Sequence, residues 1–159
     1  MIRSMSSADC NQVAMIEAQE FGTILDQHRL LALLKSPVFF GFVDDLKGTN
    51  AVFDCPTILI SYLLANIIVD EAEILSIAVL ADYQNLGRGN ELLKHFNAFV
   101  AAKNVKTVFL EVAADNKAAL TLYRSQGFSE CSRRLAYYKR VDSRCDAIKM
   151  KLHVKEAFP

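Results

Sequence analysis

Tryptophan is absent from the 159 residues, and only three prolines and six glycines punctuate them. So little Gly and Pro, with 52% apolar and 23% charged residues, excludes collagenous, low-complexity and disordered chains. The length suits one domain with a sizeable core, taken as 1–159. An excess of charge of either sign is also missing. Eighteen Lys and Arg offset 18 Asp and Glu, which argues against a dedicated nucleic-acid binder while leaving room for a local basic patch. Cysteine is sparse: Cys10, Cys55, Cys131 and Cys145 form no C-x-x-C pair, and His28, His95 and His153 lie far from them in sequence. Neither a disulfide framework nor a zinc site has a signature, and a reducing cytosol is expected. The longest apolar run, Ile58 to Val69, is broken by Ser61 and Asn66 and falls short of the roughly 20 residues that span a bilayer. Met1 to Cys10 is polar and lacks a signal pattern. The expectation is a soluble, cytoplasmic protein with no membrane contact.

The first 35 residues read as helical. Val13, Ala14 and Ile16 form an apolar stripe with Glu17, Gln19 and Glu20 as its polar company, and a second stripe runs from Ile24 and Leu25 to Leu34. Ser36-Pro37 stops it, because proline disfavours helix at the residue before it. Asp44 to Asn50 reads as a polar, turn-rich segment. Strands follow at about Ala51–Cys55, Ile58–Val69 and Glu73–Leu80, then a glycine-containing turn and a helix over about Asn90–Lys103. Thr107–Ala113 is a nearly unbroken apolar strand. Asp115-Asn116 caps a helix over Lys117–Ser125, ended by Gly127. Strands at about Phe128–Tyr137 and Asp146–Val154 close an α/β order with a mixed sheet and helices on both faces.

Three features carry chemistry. The first is Gln84-x-x-Gly87-x-Gly89 between a strand and a helix. Glycines let a phosphate approach the backbone, and the free amides of a helix start favour an anion. Arg88 adds a charge. The pattern is neither a Walker loop nor a dinucleotide fingerprint. On spacing alone it serves equally as a phosphate cradle or a plain turn. The second is Glu111, which alternation places on one strand face with Thr107, Phe109 and Ala113. A carboxylate among apolar neighbours suits a general base, although an ion pair with a nearby cation is the commoner fate. The third is Asn116 with Tyr123, two helical turns apart on one face: a ligand contact and a proton donor, or simply a cap and a packed aromatic.

In this order the three features resemble the GCN5-related N-acetyltransferase (GNAT) superfamily, whose acyl-CoA motif Gln/Arg-x-x-Gly-x-Gly/Ala is matched by Gln84, Gly87 and Gly89. Within it, Asp70 to Leu152 resembles the bacterial ribosomal-protein alanine N-acetyltransferases. Matching segments include Asp70-Glu71-Ala72, Ile77-Ala78-Val79, Asp82-Tyr83-Gln84, Leu110-Glu111-Val112, Leu122-Tyr123 and Asp146-Ala147-Ile148. They cover roughly half the chain.

The resemblance implies a mostly antiparallel GNAT-type sheet, acetyl-CoA as co-substrate and no metal. Ile77, Ala78 and Val79 would pair with the pantetheine arm, and Asn85, Leu86, Gly87, Arg88, Gly89 and Asn90 would wrap the pyrophosphate. Asn116 would contact the arm further along. Glu111 matches the general base and Tyr123 the general acid, and no cysteine falls at a nucleophile position. The implied acceptor is a protein N-terminal α-amine, in particular the N-terminal alanine of a small-subunit ribosomal protein. A lysine or small amine as acceptor, or a non-catalytic acyl-CoA-binding module, are the readings beside it. The N-terminal third departs from the family pattern. Where a Phe-Pro-Trp-like stretch is common, this chain has Glu20-Phe21-Gly22-Thr23. Those helices shape the acceptor site, so acceptor identity is the looser expectation. Arg133, Arg134, Lys139, Arg140 and Arg144 form a basic run that reads as an acidic-partner surface or, more commonly, as solvated charge.

Overall fold

The computed structural model describes residues 1–22, 25–47 and 57–154. Seven strands form one sheet in the order β1-β2-β3-β4-β5-β7-β6. They are β1 (Ile2–Ser4), β2 (Phe39–Lys47), β3 (Thr57–Ile68), β4 (Glu71–Val79), β5 (Thr107–Ala113), β6 (Ser129–Lys139) and β7 (Arg144–His153). Helices α1 (Cys10–Phe21) and α2 (Gln27–Leu33) precede β2, α3 (Arg88–Ala102) joins β4 to β5, and α4 (Lys117–Ser125) joins β5 to β6. Every neighbouring pair is antiparallel except β4 and β5, whose α3 crossover makes them parallel.

The helices cover both faces. On one side α1 and α2 bury Val13, Ile16 and Leu30 against Val43, Tyr62 and Leu64. On the other, α3 and α4 bury Leu92, Leu93, Phe96 and Leu120 against Phe42, Leu63, Val108 and Leu110. This explains the long apolar run of β3: with both faces covered, alternate residues on each side must be apolar. No helix among the described residues is long and apolar enough to cross a membrane.

The N-terminal region corrects the sequence reading. Residues 2–4 form a strand, too short to show periodicity, and it pairs with β2. The segment read as polar turn from Asp44 is strand through Lys47. Asp44 and Asp45 are buried there, Asp45 receiving a 2.7 Å bond from Arg3 Nε. Arg3 also grips Asp9 through 2.7 and 2.8 Å bonds, tying the start of α1 to the sheet edge. Burial presses the Asp9 carboxyl upward, but the bonds from Arg3 and Ser6 outweigh it and hold the group below its ordinary range. The strand expected at Ala51–Cys55 lies outside the described residues.

Candidate active site

The site begins with a ladder that stops. β4 and β5 pair only from Glu71 and Thr107 to Ile74 and Leu110, after which both strands run on, to Val79 and to Ala113. A bulge lies where the ladders part. Leu64 pairs with Ser76 but Ala65 with Ile74, leaving Leu75 as the extra residue on β4. A bulge bends its strand and deepens the twist, so β4 turns away from β5 and its β5-facing backbone groups are left free. Two cavities of about 580 and 320 Å³ open on this cleft. Ile77, Asn116 and Tyr123 line both, so the two form one groove.

The smaller cavity is walled by Ile77, Ala78 and Val79 of β4 and by the turn that starts α3. Gln84 donates a 2.9 Å bond from Nε2 to the Val79 carbonyl, folding the turn back onto the strand end. Asn85 and Gly87 take positive φ, 59° and 79°, and Gly87 caps α3 in the left-handed region that favours glycine. Nothing lies within 4 Å of where a Gly87 side chain would project, whereas a Cβ at Gly89 would stand 3.1 Å from Leu122. The cradle is therefore open toward a ligand and tight toward α4. The amides opening this 15-residue helix are suited to receive an anion there. Asn90 lines it too, its side-chain oxygen accepting from Gln126 at the end of α4.

One residue of the expected set is placed otherwise. The Leu86 side chain is exposed and does not line the cavity. Arg88 does line it, with its guanidinium also 3.2 Å from Glu91 and 3.7 Å from the buried Asp44.

The larger cavity holds Glu111 and Tyr123. Burial alternates along β5, leaving Glu111 on the half-open face with Thr107, Phe109 and Ala113 as expected. Its carboxylate is not isolated among apolar groups. Arg134 Nη2 of β6 lies 3.0 Å away and the Tyr138 phenol packs beside it. Burial first, then the Glu111 charge, push the Tyr138 phenol up. Tyr123 is 6% exposed, packs on Phe128 at 5.9 Å between ring centroids, and is pushed by burial up to about 12. Asn116 does cap α4, accepting 3.1 Å from the Ala119 amide, while also lining both cavities. Cap and cavity wall are thus one residue.

Several lining residues escaped the sequence reading: Glu17, Glu20 and Phe21 from the end of α1, and Tyr138 and Arg140 from β6 and its turn. A signal existed for Glu17. Cys10, Val13 and Glu17 recur at helical spacing, and Glu17 is 1% exposed, on the buried stripe and not on the polar face. The basic run is largely paired among the described residues: Arg133 with Glu130 and Asp146, Arg134 with Glu111, Arg140 with Asp115. The Arg140 bond holds Asp115 at about 2. None of Cys10, Cys131 and Cys145 lines either cavity.

A parallel pair that parts at a bulge, with a glycine turn and helix start at its mouth, makes a groove suited to a ligand with an anionic end. The model of the Acetyltransferase (GNAT) family matches residues 13–128, and this chain belongs to that family. Among its relatives is the [Ribosomal protein bS18]-alanine N-acetyltransferase of Escherichia coli K12, 42% identical over 94 residues; the match spans 59% of this chain and 64% of that protein. The Haemophilus influenzae protein of the same name is 35% identical over 131 residues, covering 80% of this chain and 88% of its own. The crystal structure of the E. coli ribosomal-protein-S18-alanine N-acetyltransferase superposes with a TM-score of 0.83 at 30% identity, across 99% and 96% of the two chains.

Proposed function

We propose that this protein transfers the acetyl group of acetyl-CoA directly to the α-amine of a protein N-terminus, foremost the N-terminal alanine of a small-subunit ribosomal protein in the cytoplasm. One observation carries the reading: a single groove runs from the helix start at Gly87, past the free edge of β4, to a cavity holding Glu111 and Tyr123. The names of the relatives support the acceptor. The amides of Arg88, Gly89 and Asn90 suit a pyrophosphate, and the free backbone of Ile77 to Val79 suits the amide-bearing pantetheine arm.

The division of labour follows from proton affinities. An α-amine ionises near 7.7–8.0 against about 10.4 for a lysine, so near pH 7 it needs little help to become nucleophilic. Glu111, held in place by Arg134, takes that proton directly or through a water. Backbone amides of the bulged β4 polarise the carbonyl under attack. Tyr123 at about 12 keeps its proton through the neutral range. It is a weak source of that proton for a thiolate whose thiol ionises near 8.5, a gap of about 5 kcal/mol. Its acid role is therefore the hydrogen bond it donates as charge develops on the departing sulfur. With no described cysteine in the groove, direct transfer needs no acyl-enzyme.

The test is acetyl transfer followed by mass spectrometry. One acceptor is a lysine-free peptide beginning Ala-Arg, the other a lysine-bearing peptide with a blocked N-terminus. A single acetyl on the α-amine of the first is expected. Transfer confined to the second would move the acceptor to lysine.

A further inference from the structure

The large cavity contains a carboxylate that the reaction above leaves unused. Glu17 of α1 is 1% exposed, yet it lines the cavity. Tyr62 donates a 2.6 Å bond to its Oε1, and Ser76 of β4 donates to the same oxygen. Oε2 takes no hydrogen bond among the described residues, and it is not among their sealed, unsatisfied atoms, so it faces the cavity space. No Lys, Arg or His among the described residues lies within ion-pair distance of it. A buried carboxylate without a counter-ion is costly, and two hydrogen bonds on one oxygen offset only part of that cost.

Among the described residues, three acids and one cation, Arg140, line the cavity around it. Glu20 and Glu111 line it beside Glu17, and the cations in reach are committed: Arg134 to Glu111 at 3.0 Å and Arg140 to Asp115 at 2.8 Å. Such a cavity is unfinished until a cation enters. Ser76 adjoins the bulged Leu75, so an ammonium held on Glu17 would sit beside the part of β4 whose amides are free. Burial, with Glu17 as neighbour, pushes the Tyr62 phenol well up, which keeps it a donor at every working pH.

We propose that Glu17, fixed by Tyr62 and Ser76, is the anchor for the acceptor's ammonium group, a substrate-binding residue separate from the proton acceptor Glu111. The inference rests on the amine-acetylation reading and adds where the amine is held before it loses its proton.

Two unreactive peptides separate charge from shape. One begins with N,N-dimethyl-Ala, which keeps a positive charge; the other begins with N-acetyl-Ala, which has none. With acetyl-CoA in its site, the wild-type protein should bind the charged peptide at least tenfold more tightly, measured by calorimetry. Glu17→Gln should reduce that ratio to below threefold with acetyl-CoA affinity unchanged. A ratio that stays near the wild-type value in Glu17→Gln, or a wild-type protein that does not discriminate, overturns the proposal. Should Glu17→Gln no longer bind acetyl-CoA, carbodiimide coupling on the wild-type protein decides. An amide between the peptide α-amine and Glu17 supports the anchor; coupling to Glu111 or Glu20 alone overturns it. Wild-type turnover run alongside tests the acceptor reading separately. If only lysine is acetylated, that reading fails, and the same comparison on dimethyl-lysine and acetyl-lysine peptides judges Glu17.

Discussion

The two ends of the groove are built from different materials. At the end proposed for acetyl-CoA the wall is largely backbone: a helix start, a left-handed glycine and a strand edge freed by a bulge. At the acceptor end it is side chains from four separate elements: Glu17 and Phe21 on α1, Ser76 on β4, Glu111 on β5 and Tyr138 on β6. Backbone groups are present whatever the residue, so the first end depends on a few positions that permit its geometry. The second depends on the identity of each group. A family can therefore keep one cofactor site and exchange acceptors by changing α1 and β6, as function follows the site and not the fold.

Substitutions at the junction and at each end sharpen that contrast. The largest effect is expected at Tyr123, which both ends share. Tyr123→Phe deletes one oxygen from a buried ring, and it should lower kcat by about 10²–10³-fold while acetyl-CoA affinity changes less than twofold. An unaltered kcat would hand the departing sulfur to water. Next comes Glu111→Gln, keeping shape and removing the proposed base, with a loss of roughly 10²-fold in acceptor kcat/KM and no change in acetyl-CoA binding. Steady-state kinetics with the Ala-Arg peptide and calorimetry with acetyl-CoA check both. At the other end Gly87→Ala has open space for its methyl, so any penalty comes from its φ of 79° alone. Holding a non-glycine residue there costs about 1–2 kcal/mol, which predicts an acetyl-CoA affinity weaker by about tenfold with kcat at saturation within twofold of wild type. A drop in kcat instead would mean that the turn also positions the reacting carbonyl.

The same difference in materials decides how much was legible in the sequence. Gln84, Gly87 and Gly89 fall within six residues and Gly87 takes a φ of 79°, so the proposed acetyl-CoA end reads as a local motif. Helix α3 carried helical spacing, α4 a cap, and β3 to β5 apolar and β-branched runs, and the fold class followed. The acceptor end is assembled across nearly the whole chain. Glu111 and Tyr123 stood out by strand and helix spacing and were matched to the family's base and acid through a resemblance, while the ion pair that holds Glu111 comes from Arg134, a partner no spacing on β5 could name. Glu17 looked like the polar side of α1 because helix periodicity ranks a residue by its type, and a carboxylate satisfied by Tyr62 and Ser76 breaks that rank. Asp44 and Asp45 misled in the same way: two acids read as a turn, but ion pairs keep them in a strand, Asp45 with Arg3 and Asp44 with the N-terminal ammonium and Arg88. Polar residues buried with partners are where pattern reading loses to tertiary structure.

The smallest effect is thermodynamic and isolates the junction from chemistry altogether. Burial raises Tyr123 from 10 in the unfolded chain to about 12 in the fold. A group with a raised folded value contributes stability that is fully present below pH 10 and is lost as pH climbs toward 12, because the unfolded chain releases its proton first. At pH 10.5 the loss from this one residue comes to about 0.8 kcal/mol. Other tyrosines and the lysines titrate in the same range, so the wild-type curve alone does not report it. Tyr123→Phe removes this contribution and leaves the rest. Urea unfolding of both proteins at pH 8.5 and pH 10.5 should show the wild type losing about 0.8 kcal/mol more than the variant across that interval. Equal losses would mean that the phenol meets water even though its ring is buried. A water chain at the junction of the two cavities would then connect Tyr123 to solvent, and the departing sulfur would be solvated and not held by a desolvated donor.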